Sequence, residues 1–93
     1  MGKKYILYNP MWKDIRRIEK VLAEKPETWE KYENKEGGKE KILEMEMKEF
    51  KEAKEKADDS EIGKKEYYKA AKHVAAAALC LMYDIRSGED DKL

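Results

Sequence analysis

Lys39-Glu-Lys-Ile-Leu-Glu-Met-Glu-Met-Lys-Glu-Phe-Lys-Glu-Ala-Lys-Glu-Lys-Ala57 decides the fold. Placed on a helical wheel, Ile42, Leu43, Glu46, Phe50, Ala53 and Ala57 share one arc of roughly 100°. The charged residues fill the rest of the circumference. This is the pattern of an amphipathic helix packed on a core, and the spacing predicts one over Lys39–Lys56. Glu46 breaks it, because it sits near the middle of the apolar arc, with Glu49 on its flank. A carboxylate facing a core is costly unless a cation, a metal or strong donors meet it. Such breaks in patterning are expected at functional sites.

Outward from this helix, Gly37-Gly38 is the clearest break in the chain. Before it, Pro26 opens a short helical piece carrying Trp29 and Tyr32. Earlier still, Asn9-Pro10 reads as an N-cap and first helical residue. Met11, Ile15, Ile18 and Leu22 then recur at helical spacing to about Ala23. Tyr5-Ile6-Leu7-Tyr8 reads as a short extended arm, since no second strand-like run exists to pair with it. After the quoted stretch, Asp58 and Glu61 fit a capping box. A long helix follows to Arg86, closed by Ser87-Gly88 with an αL glycine. Glu89–Leu93 reads as a charged tail. The expectation is a single all-α domain over residues 1–93: a small helical bundle of two long helices, one medium and one short, with an extended N-terminal arm.

The long helix holds Val74-Ala-Ala-Ala-Ala-Leu-Cys-Leu-Met82, apolar on every side. A helix apolar all round is buried all round. A chain of 93 residues has few helices to surround it. The expectation is therefore a homo-oligomer in which a second copy covers one side of the alanine-rich helix; the alternative is a core helix wrapped by its own chain.

Composition narrows the function. Charged residues make up 45% of the chain, against about 25% in an average domain. The 21 basic and 21 acidic side chains cancel and alternate in sign, as on solvated helices. DNA binding needs a net basic footprint and is not expected. No transmembrane segment or signal-peptide core is visible, so no membrane partner is expected. Cys80 is the lone cysteine, which excludes an internal disulfide and points to a cytoplasmic setting.

Three side chains are candidates for a metal site. Glu46 and Glu49, at i and i+3, can share a hard cation such as Mg²⁺. The sole histidine, His73, can ligate a metal, act as acid or base, or hydrogen-bond a neighbour. Glu44 and Glu52 point away from the arc and read as surface charge. For Glu46 the competing reading is an ion pair with a lysine reaching in from another helix. His73 and Cys80 lie two turns apart, about 10 Å along the axis, too far for a nucleophilic pair.

Lys41 to Ile85 resembles the small all-α nucleotide pyrophosphohydrolases of the MazG-like group, particularly the short phage-type members. The matching segments are Ile42-Leu-Glu-Met-Glu-Met-Lys-Glu-Phe-Lys-Glu-Ala53 and His73-Val-Ala-Ala-Ala-Ala-Leu-Cys-Leu-Met-Tyr-Asp84. The family carries Glu-Glu-x-x-Glu on one helix and Glu-x-x-Asp at the start of the next. Its carboxylates hold the Mg²⁺ that grips a nucleoside triphosphate and helps water attack it. Glu46 and Glu49 match the last two acids of the first motif, with Met45 at the position of the first. Ala70 and His73 stand at the two acidic positions of the second. The resemblance implies a Mg²⁺-dependent nucleotide hydrolase or a degenerate relative of one. The other expectation is a non-catalytic helical module that binds a protein partner or a small nucleotide.

Overall fold

The computed structural model describes residues 10–57 and 60–87. Four helices account for most of them: α1 (Trp12–Glu24), α2 (Glu27–Glu33), α3 (Gly38–Lys56) and α4 (Glu61–Arg86). The all-α expectation holds, with two long helices, one medium and one short. The arm at Tyr5–Tyr8, the Asn9 cap, Asp58, Gly88 and the tail lie outside the described residues.

Helix boundaries shift for local reasons. α1 begins at Trp12, two residues after Pro10. At the start of α4, Ser60 is the cap, and its hydroxyl accepts the Gly63 N–H at 3.0 Å. α4 ends at Arg86, and the Ser87 hydroxyl donates to the Asp84 carbonyl at 2.9 Å. The Gly37-Gly38 break is a steric requirement. Gly37 adopts a left-handed φ of 70° ahead of α3. A Cβ on Gly38 would stand 1.6 Å from the Tyr32 carbonyl oxygen, so α3 can start against α2 only with glycine there.

α3 and α4 form an antiparallel hairpin. Its register can be followed through Lys39–Asp84, Glu46–His73 and Phe50–Tyr67. α2 lies across α3, and α1 packs on α4. The centre is small: Trp29, Ile42, Ala76 and Ala77, ringed by Ile18, Val21, Leu22, Tyr32, Leu43 and Cys80. Two alanines at the centre bring α4 close to its neighbours and leave the indole of Trp29 as the largest buried side chain. The apolar run of α4 is covered on one side only. Ala76 and Ala77 are sealed, whereas Leu79 is 42% and Met82 60% exposed. α1 is likewise shallow, with no buried residue and with Trp12 and Ile15 open to solvent.

Candidate functional site

Glu46 is the buried charge of this structure, 2% exposed. The helical phase of α3 that turns Ile42 inward turns Glu46 inward one turn later. Its Oε1 accepts the indole Nε1–H of Trp29 at 2.8 Å. A hydrogen bond to a charged acceptor contributes about 1.5–3 kcal/mol. Its Oε2 has no hydrogen bond and faces His73 Nδ1 at 3.6 Å. That separation is an ion-pair distance once the imidazole is protonated, and too long for a hydrogen bond. The Trp29 ring meets His73 edge-to-face, with centroids 6.5 Å apart and planes at 76°. His73 is therefore bracketed by a carboxylate from α3 and an indole from α2.

The alternative partner for Glu46, a lysine reaching in from another helix, is replaced by this arrangement. The sequence places Trp29 on a short helix and gives no signal for its donor role beyond the need of a buried indole for an acceptor. His73 emerges from the antiparallel register of the hairpin.

Glu49 lies one turn further along α3, at the exposed edge of the same face. Partial desolvation, and then the Glu46 carboxylate beside it, hold its carboxyl above the usual carboxylate range; Glu52 adds to this and Lys69 opposes it. Glu46, Glu49 and His73 thus form one neighbourhood. They do not close round a cation: among the described residues no three His, Cys, Asp or Glu side chains are arranged to hold a metal ion. One open carboxylate oxygen, a facing imidazole and an outer carboxylate fit Mg²⁺ poorly, since it prefers near-octahedral oxygen ligation. Cys80 is half-buried seven residues beyond His73 on α4 and plays no part in this contact.

No helix among the described residues is long and apolar enough to cross a membrane. Searches of family models, of curated proteins and of solved structures find no match to this chain.

Proposed function

We propose that this chain is a non-catalytic helical binding module that works as a homo-oligomer in the cytoplasm, and that it is a degenerate relative of the MazG-like nucleotide pyrophosphohydrolases. One observation carries the non-catalytic reading. Glu46, which the resemblance makes a magnesium ligand, gives one oxygen to the Trp29 indole and turns the other to His73. A carboxylate engaged in this way organises a three-helix junction. Self-association is supported by α4, whose Leu79, Met82, Tyr83 and Ile85 stand exposed beyond the sealed alanines. Clustered exposed apolar side chains of this kind mark interaction surfaces.

The hydrolase reading keeps one observation in its favour, the Glu46 Oε2 that accepts no hydrogen bond, with Glu49 beside it. Pyrophosphate release from a panel of nucleoside triphosphates, with Mg²⁺ or Mn²⁺, separates the two. The binding-module reading expects no release at high protein concentration and no metal-dependent rise in melting temperature. Turnover that disappears in Glu46→Gln would overturn it. Light scattering at micromolar concentration tests the oligomer, and a strict monomer removes that part.

A further inference from the structure

The opposite side of His73 opens onto a cleft between α1 and α4 of about 730 Å³. That lies within the usual range of small-molecule sites, about 300–1,000 Å³. Arg17, Lys20 and Glu24, at helical spacing on one face of α1, form one wall. Tyr68, Lys72 and His73 of α4 form the other, and Lys25-Pro26 closes the end. Four permanent cations thus line the cleft with one carboxylate, in a chain whose charges cancel as a whole, 21 against 21. Charge has been gathered here.

The cations are held differently. Arg17 donates to the Tyr68 hydroxyl at 3.1 Å and lies over that ring at 5.4 Å. Tyr68 in turn donates to Asp14, so the guanidinium is anchored in place. Lys25 pairs with Glu33. Among the described residues no carboxylate is paired with Lys20 or Lys72. The backbone at Lys25 is a second, independent feature. Its φ of 27° is the sole positive value at a non-glycine among the described residues, and its N–H donates to the Val21 carbonyl at 2.7 Å. Strained backbone of this kind persists where the surroundings enforce it, and it clusters at ligand sites. Here it turns the chain sharply between α1 and α2 and sets Lys25 at the end of the cleft.

We propose that this cleft binds a small phosphorylated anion with two or more phosphate groups. Lys20 and Lys72 supply the unpaired charge, and the anchored Arg17 supplies directed donors. Val21 and Pro26 offer an apolar floor for the remainder of such a molecule. The proposal goes beyond the binding-module reading by naming the ligand class, and it stands or falls on binding, whereas that reading stands or falls on turnover.

Calorimetric titration of the full chain with inorganic pyrophosphate, in EDTA and at low salt, is the test. Saturable binding is expected, weakening steeply as salt is raised. Lys20→Glu and Lys72→Glu should each raise the dissociation constant about tenfold or more. Lys51→Glu, on the exposed side of α3, should leave it unchanged. Should either reversal disturb the circular dichroism, the Lys20→Gln, Lys72→Gln double variant carries the same expectation at unaltered bulk. Absence of binding at millimolar pyrophosphate overturns the proposal. So does equal weakening by Lys51→Glu, which would mean diffuse attraction. Citrate at matched ionic strength, if it binds as tightly, removes the phosphate class.

Discussion

Ala76 and Ala77 are sealed, while Leu79 and Met82, a few residues further along α4, lie open. The two regions share one helix and one apolar composition, so their difference comes from what is packed against them. At the first, α2 and α3 converge, and the junction is held by Trp29, Glu46 and His73. At the second, α2 has ended and nothing among the described residues replaces it. Burial here is set by the supply of neighbouring elements, and hydropathy alone does not determine it.

The strongest way to break the contrast is to dismantle the junction. Trp29→Ala removes the largest buried side chain and leaves both oxygens of Glu46 without a hydrogen bond. A loss of about 4–6 kcal/mol is expected from the cavity and the stranded carboxylate together, enough to unfold a marginal domain, and urea titration followed by circular dichroism would measure it. A loss below about 2 kcal/mol would mean that the indole is not the keystone. Gly38→Ala attacks the same junction through the backbone. Its methyl cannot coexist with the Tyr32 carbonyl, so the start of α3 must shift, and about 2–3 kcal/mol should be lost. A thermal melt unchanged from the parent chain would contradict that clash.

Glu46→Gln sharpens the contrast by asking whether the junction needs the charge or only the acceptor. The amide oxygen can still take the indole N–H, the amide N–H₂ can face His73, and the repulsion from Glu49 disappears. Stability in EDTA should change by less than about 1 kcal/mol, in either direction. A loss of about 3 kcal/mol or more would identify a structural ion pair with His73.

The open half of α4 should behave in the opposite way. Leu79→Ser with Met82→Ser should alter the stability of the monomer by only about 0.5 kcal/mol per site, as exposed positions do. The same pair should lower the mass seen by light scattering, and an oligomer that survives both changes is held together elsewhere. The smallest effect belongs to Glu49. Because its folded carboxyl is held above the ordinary range, the folded state binds that proton more tightly than the unfolded chain does. Its influence on stability is therefore most favourable at low pH and declines as pH rises through the carboxylate range to the raised value. Glu49→Gln should match or slightly exceed the parent in melting temperature at neutral pH, with the gap closing towards pH 4. A gap that widens on acidification would reverse the sign.

The helices were legible because their cause is local. Periodicity over Lys39–Lys56, Pro26, Gly37-Gly38 and the apolar run after Val74 each mark an element without reference to the rest of the chain. Glu46 was legible for the same reason, as a departure from its own helix's pattern. Its partners were not. Trp29 reaches Glu46 because Gly38 lets α2 lie against the start of α3, and His73 reaches it because the antiparallel register of α3 and α4 sets the two opposite each other. Both are tertiary facts with no periodic signature. The alternative of an alanine-rich helix wrapped wholly by its own chain is not what the described residues show, since a wheel shows which sides are apolar and not which side a seven-residue α2 is long enough to cover.

The pairing of Trp29 with Glu46 has an optical consequence. The chain holds two tryptophans, one on the surface at Trp12 and one at the junction. An indole tied to a carboxylate and packed away from water emits differently from a hydrated one. With Trp12 replaced by phenylalanine, the molecule becomes its own fluorimeter. Its emission would follow the packing of the three helices at the junction beside the cleft, without any attached dye.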